Sequence, residues 1–200
     1  QTQIEIIIGP NKHGSRCNCK GLEISKELDC KYDIDWRKVL SMDIDAVILS
    51  TPTSFFEEIG IAVLNSGKHL LVEKPLGENL LQARALTDAA IRNGRILKTG
   101  FNLRYDDGLQ KVKELVDAGR IGKTYFIKLT YVNGAVLTNS NSVRSLLDIG
   151  THSINLAQWF LPDPEMDRIR AISQCQESNN NDNGFVILQN KGVLANIHYS

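Results

Sequence analysis

Three side chains in this sequence have the types and spacing to move protons. Lys74 stands in Glu73-Lys74-Pro75. A residue before proline is driven out of helical geometry into an extended one, so Lys74 is expected at the end of a strand. Ligands of open α/β sheets bind at the carboxyl ends of parallel strands. An ammonium there can give a proton or a hydrogen bond to a substrate hydroxyl, and desolvation or a cationic neighbour would lower its pKa. Taken alone, a solvated surface lysine explains these three residues better. The second cluster is Asp148-Ile149-Gly150-Thr151-His152. A helical turn would bring its carboxylate and imidazole to one face. An imidazole of near-neutral pKa suits proton removal from an alcohol, and a carboxylate can orient it or share its charge. From spacing alone, an aspartate capping a helix with a histidine packed one turn on is the favoured reading.

The surrounding pattern shows what must hold these groups. Ile4–Ile8, Ala46–Ser50, His69–Val72 and Ile96–Thr99 are short apolar runs that end in glycine, proline or polar residues. Between them Ile59, Ala62 and Val63, then Leu81, Ala85 and Ala89, recur at helical spacing. Strand–helix alternation of this kind predicts a parallel sheet covered by helices. The second half changes character. Leu109, Val112, Leu115 and Val116 mark a helix, and another is expected near His152–Leu161, stopped by Pro162 and Pro164. Tyr125, Ile127, Leu129 and Tyr131 alternate as one strand face, with further strands at Arg168–Cys175, Phe185–Gln189 and Val193–Tyr199 and a polar turn at Asn179–Gly184. Longer strands with turn-like links predict an antiparallel sheet. The fold class is therefore α/β: a Rossmann-like parallel-sheet domain over 1–99, then an α+β domain with a mostly antiparallel sheet over 100–200.

Bulk properties narrow the function classes. The 200 residues carry 23 basic and 23 acidic side chains, so no overall field draws the chain to nucleic acid or an anionic membrane. Apolar runs stop after a few residues, far short of a membrane span. With no charged-then-apolar opening segment the expected location is the cytoplasm. Cys17, Cys19, Cys30 and Cys175 match no zinc spacing, and reduced thiols with no metal site are expected.

Linked motifs carry a family resemblance. Thr51-Pro52-Thr53, Gly67-Lys68-His69-Leu70-Leu71-Val72-Glu73-Lys74-Pro75-Leu76 and Gly100-Phe101-Asn102-Leu103-Arg104-Tyr105, followed by Gly119-Arg120-Ile121-Gly122, resemble in order and spacing the Gfo/Idh/MocA family of nicotinamide-dependent, sugar-oxidising dehydrogenases. The likeness runs from about Asp45 to Ser200. It implies NAD or NADP as cofactor and a sugar, cyclitol or sugar nucleotide as substrate. It also implies a homo-oligomer formed through the C-terminal sheet, with Tyr125, Ile127, Leu129 and Tyr131 as candidate apolar surface, and no nucleic-acid or membrane partner. It reverses the reading of the Asp-x-x-x-His pair: Asp148 and His152 become catalytic together with Lys74. Gly9, Asn11, Gly14, Thr51, Pro52, Glu73, Lys74 and Asn102 become cofactor contacts, and Lys74, Arg104, Tyr105, His152 and Asn155 substrate contacts.

The chain also departs from the family. Gly9-Pro10-Asn11-Lys12-His13-Gly14 keeps the outer glycines of G-x-G-x-x-G but has Asn11 in the middle, where a side chain obstructs the phosphate. The nucleotide domain is short by about one strand–helix unit. A unit is absent between Gly14 and Lys20; or Asp33, nineteen residues past Gly14, is the ribose acid and a later unit is absent; or Ile4–Ile8 is the second strand and the fingerprint lies upstream. Phe56 replaces a frequent histidine, Ser142-Val143-Arg144 replaces a glycine-rich stretch, and relatives continue for several strands past the equivalent of Ser200. Two alternatives to an enzyme follow: a non-catalytic binding or regulatory relative, and an inactive fragment.

Overall fold

A computed structural model describes residues 3–9, 20–132, 146–163, 165–174 and 183–200. In the first half the strands are short and all parallel. β1 (Ile6–Ile8) pairs with β2 (Lys31–Asp33), and α1 (Lys20–Glu27) connects them. β3 (Ala46–Leu49), β4 (His69–Val72) and β5 (Leu97–Thr99) form a second sheet in that order. Among the described residues no ladder joins β1 to β3.

Two helices cover one face of β3–β5. α2 (Phe56–Asn65) buries Phe56, Ile59, Gly60, Val63 and Leu64, the i, i+3, i+4, i+7 stripe of an amphipathic helix. α3 (Leu80–Asn93) starts where the Asn79 side chain accepts from the Gln82 N–H at 3.1 Å, and stops at Gly94 in the left-handed region, φ 59°. The helices approach closely at Gly60, where an added Cβ would lie 2.6 Å from Leu86 Cδ2 and 3.0 Å from Leu70 Cδ2. These residues build one core with Leu49, Leu70, Val72, Leu86, Ala89 and Ala90, against which Ile6, Ile8 and Val47 also pack. α1 lies on the opposite face of β1 and β2, over Ile7 and Tyr32. Helices on both faces make this the doubly wound architecture expected from the alternation.

The second half has its own core. After α4 (Asp107–Asp117), capped by Asp106 accepting from the Leu109 N–H at 2.9 Å, come β6 (Phe126–Tyr131), α5 (Thr151–Phe160), β7 (Arg168–Gln174), β8 (Asn183–Asn190) and β9 (Val193–Tyr199). The sheet order is β6-β9-β8-β7, with β6–β9 parallel and the other pairs antiparallel. Ala157 of α5 and Leu161 just after it pack on Val186, Leu188, Ala195, Ile197 and Tyr199. Two expectations are corrected here. Asn183 and Gly184 belong to β8, paired with Gln174 and Ser173, because the ladder extends past Phe185. Ile127 and Leu129 face this core rather than a partner. The solvent face of the sheet holds the alternate residues, among them Phe126, Phe185, Ile187 and Leu194.

Candidate functional site

β4 is the middle strand of its sheet, so whatever follows Val72 stands at the centre of the carboxyl edge. The ladder runs one residue past the strand: the Glu73 N–H donates to Leu49 O at 3.0 Å and the Gly100 N–H to Val72 O at 2.8 Å. Lys74 then leaves the sheet, its N–H bonded to Glu73 Oε2 at 3.1 Å. Gly100 matters because a Cβ there would sit 3.4 Å from the Glu73 carboxylate atoms. A bare backbone lets that carboxylate approach the β5 end.

Lys74 reaches across to the second half of the chain. Its Nζ donates to the Asp148 carbonyl at 3.0 Å and forms a short ion pair with Asp148 Oδ1. Asp148 lies in a π-type turn, Leu146–Gly150, that runs into α5 without a side-chain cap. The capping reading of Asp148 is thus set aside, since its carboxylate is given to Lys74. His152, in the first turn of α5, stands edge-on between Phe101 and Tyr131, each ring centroid 6.1 Å away. Burial first, then the Lys74 charge, pushes its pKa below the usual 6.5, with Asp148 and Glu73 pulling the other way. Its Nδ1 is buried and has no hydrogen-bond partner among the described residues.

The remaining expected residues lie in several places. Glu73, Asn102 and Tyr105 line one cavity of about 320 Å³ with Leu71, Lys98, Thr99, Gly100 and Phe101. Thr51 and Pro52 end β3, and Thr51 Oγ1 donates to Pro52 O at 3.4 Å. Arg104 and Asn155, expected against substrate, are bonded to each other: Arg104 Nε donates to Asn155 Oδ1 at 2.6 Å and Nη2 to Asn155 O at 3.1 Å. Asn11 and Gly14 lie outside the described residues. Sequence reasoning gave no role to Phe101 and Tyr131 beside His152. The only signal for Tyr131 was its alternation with the inward Ile127 and Leu129.

The carboxylate of Glu73 and the amide of Asn102 share one cavity, and they are the polar groups a nicotinamide and its ribose could use. Gly9, an expected cofactor contact, packs on Tyr32, since an added Cβ there would meet Tyr32 Oη at 2.6 Å. Asp33 is also engaged. It accepts from the Ile34 and Asp35 N–H groups at 2.7 and 3.0 Å and from Lys38 Nζ at 2.5 Å, and Lys38 above all lowers its pKa to about 2. Among the described residues no group of three or more His, Cys, Asp or Glu could hold a metal ion, and no helix is long and apolar enough to cross a membrane.

Comparison with known proteins agrees with this geometry. Residues 1–101 match the model of the oxidoreductase family with an NAD-binding Rossmann fold, and residues 109–200 match the GFO/IDH/MocA C-terminal domain. Inositol 2-dehydrogenase 3 of Saccharopolyspora erythraea is 32% identical over 124 residues, 62% of this chain and 37% of that protein. A probable dehydrogenase from Thermotoga maritima superposes with a TM-score of 0.85 at 25% identity, over 98% of this chain and 61% of that one. Levoglucosan dehydrogenase, solved with NADH and levoglucosan, shares the fold with a TM-score of 0.83 at 21% identity, over 98% of this chain and 57% of that one. The chain therefore spans less than two thirds of each of these relatives, and 37% of the inositol dehydrogenase. With both halves matched in order, the chain belongs to the Gfo/Idh/MocA oxidoreductase family.

Proposed function

We propose that the protein to which this chain belongs oxidises a secondary alcohol of a sugar, cyclitol or sugar nucleotide, using NAD or NADP. The observation that supports this most is the meeting of Lys74 with Asp148 beside His152, from two separately cored halves. The bound nicotinamide supplies the hydride acceptor. Glu73, Asn102, Thr51 and Pro52 are the residues proposed to hold its end of the cofactor. His152, kept neutral by burial and by Lys74, takes the hydroxyl proton as the carbinol C–H bond breaks and the C=O bond forms. An ammonium has three donors; Asp148 occupies two, which leaves one for the reacting oxygen. Asp148 aims the ammonium and shares the charge that develops on His152. A substrate hydroxyl entering the cleft would also satisfy the orphaned imidazole nitrogen, whose desolvation is otherwise costly. Tyr105 lines the neighbouring cavity, and Arg104 acts on substrate through Asn155.

The same reading divides the chain into a nucleotide domain, 1–99, and a substrate domain, 100–200. It puts the protein in the cytoplasm and makes its C-terminal sheet the oligomer contact. Two measurements test it. Lys74→Ala should abolish alcohol oxidation and leave cofactor affinity largely intact; retained turnover removes Lys74 from the mechanism. NAD or NADP at millimolar concentration should raise the melting temperature, since a ligand of the folded state alone stabilises it. A second reading, a non-catalytic binding relative, is favoured by Asp33, whose carboxylate is already taken by Lys38 and two backbone N–H groups. No melting shift with either nucleotide would select it.

A further inference from the structure

We infer that the substrate carries an anionic group, a carboxylate or a phosphate, and that Arg104, besides fixing Asn155, pairs with it on the face of α5 that holds His152. The substrate part of this statement rests on the alcohol-oxidation reading above; the unbalanced charge of Arg104 does not.

Arg104 is a partly buried guanidinium held by a neutral partner. Its Nε and Nη2 both bond to Asn155, at the side-chain oxygen and at the carbonyl. It also lies over Trp159, with Cζ 5.8 Å from the ring centroid. Asn155 and Trp159 stand at i+3 and i+7 from His152, so all three share one stripe of α5. Three residues of helix rise about 4.5 Å, within the compass of a single sugar unit. A group held at Arg104 and a carbinol held at His152 can therefore belong to one small molecule.

Nothing nearby balances the charge. Among the described residues no carboxylate forms an ion pair with Arg104. Asp106, the nearest acid in sequence, caps α4 by accepting from the Leu109 N–H. Asp148 is taken by Lys74, and Glu73 by the Lys74 N–H. The sequence from Asn133 to Ser145, which joins β6 to the turn bearing Asp148, contains no acidic residue and one more arginine, Arg144. Withdrawing a guanidinium from water without a counter-ion is costly, and an aromatic face offsets only part of the cost. Aspartate at 155 would close the pair; asparagine keeps the hydrogen bonds and leaves the charge open. The open charge has an open edge. Of the five guanidinium N–H donors, Asn155 takes one on Nε and one on Nη2. Among the described residues Nη1 and the second Nη2 hydrogen have no acceptor, and together they form the fork that grips a carboxylate or phosphate with two parallel bonds.

Asn155→Asp tests the charge without any ligand. Giving Arg104 its own carboxylate should raise the melting temperature by about 1–4 °C at low ionic strength, and the gain should shrink in about 0.5 M salt. The same change made in Arg104→Gln cancels any effect of aspartate on the helix itself. No gain over that reference means the guanidinium is already balanced and overturns the inference. Binding tests the substrate class. The chain has two tryptophans, so the Trp159 indole N–H cross-peak is assigned by Trp159→Phe. Titrated with glucose, glucuronate and glucose 6-phosphate in the presence of NADH, it should report an affinity at least about tenfold higher for an acidic sugar than for glucose. Whichever acid responds tells carboxylate from phosphate. Asn155→Asp and Arg104→Gln should each remove the preference. Equal affinities in the wild type, or a preference that survives both variants, overturns the anionic substrate. If no sugar binds while the Asn155→Asp gain is present, the alcohol-oxidation reading falls and the anionic sugar with it, and the unbalanced Arg104 stands.

Discussion

At Lys74 the ion pair joins a side chain one-fifth exposed to one two-fifths exposed, so solvent screens it and its own stabilisation is about 1 kcal/mol or less. Its larger effect falls on His152. Lys74 lowers the imidazole pKa and Asp148 raises it, so Lys74→Met should move the His152 titration up and Asp148→Asn should move it down. NMR titration of the imidazole protons reads both, and equal pKa values in the three proteins would mean the groups are too far apart to couple. Stability carries the same sign. Because the folded value lies below 6.5, the unfolded chain takes up its proton first. The stabilisation is complete above 6.5 and fades as pH falls from there through the folded value. Wild type should therefore lose more melting temperature than His152→Gln between pH 7 and 5, and parallel curves would deny that the imidazole is desolvated. Lys74, Asp148 and His152 were reached from the sequence through the family resemblance, because their short motifs alone favoured a surface lysine and a capping aspartate. Phe101, Tyr131 and the Arg104–Asn155 bond were not, since each is a meeting of segments far apart in the chain.

The elements that present these groups depend on two close contacts. One is Gly60, where α2 rests on Leu70 and Leu86, both almost wholly buried. Gly60→Val should force the helix outward and cost about 1–3 kcal/mol, read by urea denaturation; an unchanged midpoint would mean those leucines yield freely. The other is the double hydrogen bond from Arg104, just past the first half, to Asn155 in α5. Asn155 lies one turn beyond His152, so Asn155→Ala should loosen the imidazole as well as the fold. The stability loss is expected near 1–3 kcal/mol, as for hydrogen bonds to charged groups. If Asn155 served only as a substrate contact, KM would rise and the melting temperature would stay unchanged. Most helices and strands of both halves were legible from periodicity, whereas α1 and the three-residue β2 were not placed by it. The partner of β1 was not: three consecutive isoleucines suit any parallel strand, and the structure pairs them with β2.

On the scale of the whole molecule, the proposed oligomer contact rests on the open face of the C-terminal sheet. α5 covers one side; the other carries Phe126, Phe185, Ile187 and Leu194, all at least two-fifths exposed, with His198 stacked on Phe185 at 4.5 Å between ring centroids. Alternation in β6 left the choice of face open in the sequence, because Tyr125-to-Tyr131 reads as apolar at odd positions while Phe126 lies between them. The register settles it: Phe126 pairs with Leu194, and His198 with Phe185. A contiguous apolar sheet face of this kind marks an association surface. Phe185 stands in a central strand, so a charge there would have to be buried unpaired at any contact between two such faces. Sedimentation velocity should accordingly show concentration-dependent association of the wild type, and Phe185→Asp should reduce it to monomer. Its melting temperature, extrapolated to low protein concentration, should stay close to the wild-type value, because the side chain lies outside the core formed under α5. A wild type that sediments as monomer at all concentrations would leave this face without a partner of its own kind.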